Sequence, residues 1–485
     1  NLCVVGDEDQ SIYRFRGATI ENILSFENEF DSKVIKLEQN YRSTTNILDA
    51  ANAVIRNNTQ HKEKNLWSDL GEGDKIQVYR FTDEQAEAIF AANEILEAKK
   101  AGFAYSDNAI LYRTNAQSRT FELALGKMGV PYRIIGGTRF YERKEIRDII
   151  AYLSVINNPF DTVRLARIIN EPKRSIGDAT QSEIFNISLS LGISPIEVME
   201  RCEDFVTLSR KAKVLMPLGR MFRELINSAQ ERDITDTLDD LLEQSGYREM
   251  LLLQGEEGAA RLENIKELKS AMITFCEENE SATLFDYLEQ VALISDLDSL
   301  DNEEDRVVLM TMHSAKGLEF ERVFIIGAEE SIFPSYRSLA DAFELEEERR
   351  LCYVAITRAK QKLYVTTAAS RLLYGQTMHN KLSRFIGEIP SEYIEYIDRS
   401  AHTSFGTAVV RTKANYLRDH TAVKTSAPVV HQTFTAGDRV NHNKFGEGTV
   451  ITASPIGNDT LIEISFDTVG TKKLMANFAK ITKIE

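Results

Sequence analysis

Apolar positions in the first 160 residues follow two alternating patterns. Short runs rich in β-branched and aromatic side chains at 34–37, 76–81, 109–112 and 132–135 predict strands. Longer stretches with apolar residues every three or four positions, at 44–57, 84–99, 117–128 and 143–155, predict helices. Such alternation implies an α/β domain with a mostly parallel sheet. The opening residues, Leu2-Cys3-Val4-Val5, read as one more strand.

Between about 160 and 300 the pattern turns helical, with Leu238, Leu241, Leu242 and Tyr247, then Leu262, Ile265 and Leu268, near a 3.6-residue period. Strand signals return at 307–310, 323–326 and 363–366. The simplest organisation is a helical insertion inside one α/β domain. Residues 381–432 are rich in Ser, Thr and Ala and read as a linker. Short β stretches at 439–440, 448–452, 461–466 and 472–475, separated by Gly, Asn, Asp and Pro, suit a small β-barrel.

At 485 residues the chain has room for two to four domains. It carries no apolar run of about 18 residues and no signal-peptide pattern. Its four cysteines are scattered, which fits a reducing cytoplasm and small buried side chains better than structural zinc. The first residue is not Met, and the chain opens inside an expected strand, so a fragment is expected. A net charge of −16 argues against nucleic acid, but the charge is uneven. No Lys or Arg lies between Lys269 and Arg306, whereas Arg139 to Arg147, Lys173-Arg174 and Arg399 to Lys424 are locally basic. A local basic surface is what DNA binding requires.

Four stretches carry candidate chemistry. In GDEDQSIYRFRGA, residues 6–18, the acids resemble a magnesium-handling Walker B box, but the preceding glycine and the aromatic-basic tail do not fit one. The Gln10 amide both donates and accepts, so it can orient a water or sense a γ-phosphate. Tyr13, Phe15, Arg14 and Arg16 interleave rings and cations, a composition suited to stacked bases beside phosphates. A core Tyr and Phe with solvated arginines is the plainer alternative. In LEQNYRSTTNI, residues 37–47, Ser43 is the expected N-cap, which places Tyr41-Arg42 just before a helix N-terminus that favours an anion. An Arg42 pair with a carboxylate is equally open.

The third stretch, VVLMTMHSAKGLEFERVFIIG at 307–327, sets His313, Lys316, Gly317 and Glu319 in a loop after a strand, where α/β sheets hold ligands. In the fourth, EEERRLCYVAITRAKQKLYV at 346–365, Arg358 shares a helical face with Leu351, Val354 and Ala355. A cation on an apolar face is costly unless it is paired or meets a ligand. Glu346 to Arg349 read as a solvated or ion-paired face.

In this order the four stretches resemble motifs III to VI of the PcrA/UvrD/Rep superfamily 1 DNA helicases. AILYRTNAQSR at 109–119, FYERKEIRD at 140–148 and GDRVNHNKFGEGTV at 437–450 are similar too, the last to the Tudor-like domain of the PcrA and UvrD types. The resemblance covers essentially the whole chain. It implies a RecA-like parallel-sheet domain of the P-loop NTPase type (2A; 37–142 and 299–380) interrupted by a helical domain (2B; 143–298). It also implies a remnant of domain 1A (1–36), a linker (381–432) and a Tudor/SH3-like β-barrel (433–485).

The function so implied is ATP-driven 3′-to-5′ translocation and duplex unwinding in repair and replication, with ATP and magnesium as cofactors. Gln10 would meet the γ-phosphate and attacking water. Tyr41 would stack on adenine, Gly317 and Glu319 would lie by the nucleotide, and Arg42 and Arg358 would act as arginine fingers. Tyr13, Phe15, Arg16, Arg113 and His313 would follow single-stranded DNA, with Lys173 and Arg174 of NEPKRSIGD (170–178) on duplex phosphates at a junction. The Tudor-like end would dock RNA polymerase, and no membrane partner is implied. Phe15 stands where many relatives carry Trp. No GxxxxGK(S/T) loop and no magnesium-binding acidic box occur in the 485 residues, so roughly 250 residues of the family pattern are expected upstream. The alternative is a non-catalytic module that binds DNA and RNA polymerase.

Overall fold

The computed structural model describes residues 3–14, 17–30, 32–59, 64–279, 283–299 and 305–400, and most of 437–483 outside short gaps. The chain forms two compact units, 1–403 and 404–485.

The first unit is built on a seven-stranded, all-parallel sheet. Its strands are β1 (Ile76–Phe81), β2 (Asn108–Tyr112), β3 (Tyr132–Ile135), β4 (Val307–Thr311), β5 (Phe320–Ile325), β6 (Ala359–Ala368) and β9 (Ile394–Asp398). A small antiparallel hairpin, β7 (Arg371–Leu373) with β8 (Gln376–Met378), stands apart from them. The sheet order is β3-β4-β2-β5-β6-β1-β9. Register is set by pairs such as Ala109 with Val308 on one side and Val323 on the other.

Successive side chains on a strand point to opposite faces. Ala109, Leu111, Val308, Met310 and Val323 therefore pack under the helices Thr45–Ile55 and Ala342–Ile356. Ile110, Tyr112, Val307, Leu309 and Phe324 pack under Glu84–Lys100 and Ser118–Lys127. Every residue of β2 is buried, as expected for a strand covered on both faces.

Between β3 and β4 the chain forms helices from Lys144–Asn157 to Leu284–Ser299, which share a separate core. This insertion is tied to the sheet domain by a buried pair, Arg119 Nε to Glu267 Oε1 at 2.7 Å. The hairpin helps, with Tyr374 N–H donating to Glu267 and Gly375 N–H to Ser270 Oγ.

Three expectations are corrected. Residues 34–37 form no strand: Val34, Ile35 and Leu37 are exposed, and the only ladder contact nearby is a bridge from Gln39 to Trp67. The segment from Cys3 is likewise unpaired up to the short turn Glu8–Gln10. Residues 381–400 are not linker. Phe385, Ile386 and Ile389 enter the core, and β9 pairs with β1. The remainder of the expected linker, 401–432, lies outside the described residues.

The second unit is a five-stranded antiparallel sheet ordered β13-β12-β11-β10-β14. Its strands are β10 (Arg439–His442), β11 (Gly446–Ile456), β12 (Asp459–Phe466), β13 (Gly470–Met475) and β14 (Ile481–Lys483). Val440, Val450, Ile462, Ile464 and Phe466 form its core. Closure of the sheet into a barrel is not among the described pairings. No helix among the described residues is long and apolar enough to cross a membrane.

Candidate nucleotide and nucleic-acid site

Arg42 is placed by its own loop. The Asn40 side-chain oxygen accepts the N–H groups of Arg42 at 2.8 Å and Ser43 at 2.9 Å. Ser43 is not the N-cap expected from the sequence. Its hydroxyl is buried and donates to Ala359 O at 2.6 Å, and the helix begins one residue later, at Thr45, after Thr44. That bond fixes the Arg42 loop to the start of β6. Arg42 Nε then meets Glu319 Oε2 at 2.5 Å, and Lys360 Nζ reaches Glu319 Oε1 at 3.4 Å. The Arg42 hydrogen bond, helped by Lys360, holds the Glu319 carboxyl below its ordinary range.

Arg358 lies just beyond its helix rather than on it. The helix ends at Ile356, and Thr357 turns the chain into β6. Arg358 is only 2% exposed, as its apolar setting in the sequence led one to expect. Its guanidinium donates to Val354 O at 2.9 Å, Leu318 O at 3.0 Å and Thr357 Oγ1 at 3.0 Å. Burial, with repulsion from Arg42, lowers its pKa to about 10. It therefore keeps its charge at neutral pH.

The structure thus brings Arg42, Glu319, Arg358 and Lys360 together at the amino ends of β5 and β6. The strand-loop pattern pointed instead to the carboxyl end of β4. Gly317 takes a left-handed φ of 86° in the loop between β4 and β5, with open space where a Cβ would stand. Tyr41 is largely exposed, its hydroxyl on Gln39.

Gln10 sits in the turn Glu8–Gln10, its Nε2 donating to Asp7 Oδ2 at 2.6 Å. Lys316 Nζ donates to Gln10 O at 2.8 Å and lies 5.5 Å from the centre of the Tyr13 ring. Tyr13 Oη donates to His313 O at 3.1 Å. The Gln10–Tyr13 segment and the His313–Lys316 loop, remote from each other in sequence, are therefore neighbours. Arg350 Nε donates to Ser11 O and Arg14 N–H to Glu347, which clasps the opening segment to the helix Ala342–Ile356. The acids and arginines at 346–350 are buried and paired within the protein rather than solvated. Phe15 and Arg16 lie outside the described residues.

The UvrD-like helicase C-terminal domain matches residues 35–370, the PcrA/UvrD tudor domain 436–483 and the UvrD/REP helicase N-terminal domain 1–31. The ATP-dependent DNA helicase PcrA of Bacillus subtilis is 45% identical over 502 residues, covering 100% of this chain and 67% of its own length. PcrA of Staphylococcus epidermidis is 44% identical and that of Staphylococcus aureus 43%, each with the same coverage. The chain belongs to the PcrA/UvrD helicase family. A solved structure, the C-terminal domain of a possible DNA helicase from Lactobacillus, matches 73% of this chain and 98% of its own at 11% identity. Its TM-score of 0.29 is too low to add to the assignment.

The PcrA/UvrD resemblance assigned three further residues to DNA. Arg113 makes a two-pronged pair with Glu348, at 2.6 to 3.1 Å. Lys173 is exposed on the loop before the helix Asp178–Leu191. Arg174, in contrast, turns inward. It donates to the carbonyls of Ile168, Ile169, Pro172 and Ser245 and to Tyr152 Oη. A guanidinium has five donors in a fixed fork, so these bonds leave little for a phosphate. Lys173→Ala should weaken duplex binding and reduce its salt slope by about one, with stability unchanged. Arg174→Ala should instead destabilise the protein by about 1–3 kcal/mol, because it strands buried carbonyls. Duplex titrations at several salt concentrations, beside urea unfolding, separate the two. An Arg174 variant of wild-type stability with weak duplex binding would overturn this division.

Sequence reasoning did not single out Lys64 or Lys360, and it weighed Asp7 only as part of the rejected Walker B alternative. Lys360, two places after Arg358, was in plain view as a second cation. Lys64 gave no signal, since its partners are more than fifty residues away.

Proposed function

We propose that this chain forms the fingers-bearing part of an ATP-driven DNA helicase that translocates 3′-to-5′ along single-stranded DNA and opens duplex at junctions, in repair and replication. One observation carries the reading: the Arg42 guanidinium, paired with Glu319, and the buried Arg358 guanidinium stand close enough to repel each other at the amino ends of β5 and β6. The buried Arg358 is held by two backbone oxygens and the Thr357 hydroxyl rather than by a carboxylate, so its charge is not neutralised by a partner and can meet a ligand. A triphosphate seated there would draw Arg42 from Glu319, freeing that carboxylate for a ribose hydroxyl. ATP, with magnesium, supplies the phosphoryl group to be cleaved.

This chain's own residues fit the nucleotide better than the metal. They offer the guanidiniums, the Lys360 ammonium and the Gln10 amide. The acids Asp7, Glu8 and Asp9 lie close enough together to hold a cation, but the Lys64 ammonium already sits among them. Family membership supports DNA as substrate. Its finer assignments are a cytoplasmic setting and RNA polymerase as the partner of the C-terminal unit.

The 485-residue chain should show no DNA-stimulated ATP hydrolysis, because it has no phosphate-cradling lysine loop. The full-length protein should hydrolyse ATP and unwind a duplex bearing a 3′ single-stranded tail. Turnover by the 485 residues alone, or none by the full-length protein on DNA, defeats the proposal.

A further inference from the structure

The Gln10 amide is not free to turn. A carboxylate accepts hydrogen bonds and donates none, so Asp7 Oδ2 at 2.6 Å fixes the Gln10 Nε2 end toward itself. The carbonyl oxygen Oε1 must then face away, as an acceptor. Asp7 is itself held. Its other oxygen contacts Lys64 Nζ and accepts Asp9 N–H at 3.1 Å. Lys64 Nζ also lies 2.8 Å from Asp9 Oδ2 and 3.6 Å from Glu8 Oε1.

Asp9 is fully buried, Glu8 nearly so, and Lys64 mostly buried. Three carboxylates so close repel one another strongly in a low-dielectric setting. The ammonium among them offsets that repulsion and holds Asp7 in place. Burial alone would lower the Lys64 pKa, but Asp7 and Asp9 raise it above the ordinary lysine value.

The backbone around Lys64 is also tied down. Asn65 N–H donates to Glu38, Asn52 Nδ2 donates to Leu66 O, and Trp67 exchanges backbone bonds with Glu38 and Asn40. Asn40 is the residue that holds the Arg42 loop. One short piece of backbone therefore leads to the glutamine turn through Lys64 and to the first finger through Asn40.

We propose that Lys64 is a positioning residue for the reaction: acting through Asp7, it sets the Gln10 amide with its oxygen toward the attacking water and ties that amide to the segment carrying Arg42. This rests on the helicase reading of Gln10, and the test separates the two. In the full-length protein, DNA-stimulated turnover is measured for Lys64→Met, Gln10→Ala and the double variant, with Lys64→Arg as rescue. Misorienting a reacting group can cost roughly 10²-fold, so Lys64→Met should lower kcat by about 10- to 100-fold with little change in KM for ATP. The double variant should turn over no more slowly than Gln10→Ala, and Lys64→Arg should recover most of the loss. Should Lys64→Met fail to fold, Asp7→Asn interrupts the same chain of contacts and should show the same kcat loss.

Multiplying losses in the double variant, or a wild-type kcat in both Lys64→Met and Asp7→Asn, overturns the positioning role while the helicase reading stands. A wild-type kcat in Gln10→Ala overturns the reading of Gln10 itself, and the proposal with it.

Discussion

Replacing Arg358 with alanine should lower ATP turnover of the full-length protein by roughly 10³–10⁵-fold, the range found for removal of an arginine finger. The side chain is buried and charged, with its donors on backbone oxygens, so nothing nearby can replace it. Arg358→Lys keeps the charge but loses the planar fork, and should recover only a small part of the rate. Alanine also strips donors from Val354 O and Leu318 O, at a cost of about 1–3 kcal/mol. Thermal unfolding run beside the ATPase assay keeps that loss apart from catalysis. Arg42→Ala, at a half-exposed position, should cut turnover with less effect on stability. Ordinary turnover in both variants would remove the two arginines from the reaction.

The largest stability effect is expected at the opposite end of β6 from Arg358. Arg371 is fully buried and bridges two carboxylates that are 0% exposed, Glu87 at 2.6 Å and Glu329 at 2.7 Å. Arg371→Met should destabilise the protein by about 3–5 kcal/mol, because it strands buried charge while preserving volume. Burial pushes Glu329 up, but the Arg371 guanidinium and the Ala368 N–H more than offset this and leave its pKa below the ordinary 4.5. A carboxyl lowered on folding adds stability above its unfolded pKa and loses it as pH falls through the folded one. In the variant the stranded Glu329 carboxylate gains by taking up a proton, so acid relieves the penalty. Urea unfolding at neutral pH and at about pH 5 should show the gap between the two proteins narrowing. A gap that widens in acid would contradict the assignment of charge.

The sheet was legible because its central strands are covered on both faces and read as unbroken apolar runs. Three of the helices that pack on it, Thr45–Ile55, Glu84–Lys100 and Ser118–Lys127, were found within a residue or two, since each must present one apolar stripe to that sheet. Residues 34–37 show where the reading fails: apolar composition without a neighbouring strand makes no ladder. Arg358 was visible as a cation in an apolar setting. The Arg42–Glu319 pair was not, because 277 positions separate its members and local pattern carries no such information. The inward setting of Arg174 was hidden for a related reason. A cation in a polar loop looks solvated until the loop folds and surrounds it with carbonyls.

The separation of β2 from its partners also bears on how the protein is made. Every residue of β2 is buried in the finished sheet, yet β4 and β5, which flank it, follow roughly 200 residues later. At roughly 5–20 residues per second, a ribosome needs roughly 10–40 s to deliver them. The intervening helices have their own core and can condense during that wait. Ala109 to Tyr112 cannot complete their ladder, and throughout that interval both edges of the strand present unpaired backbone N–H and C=O groups, a template for wrong pairing.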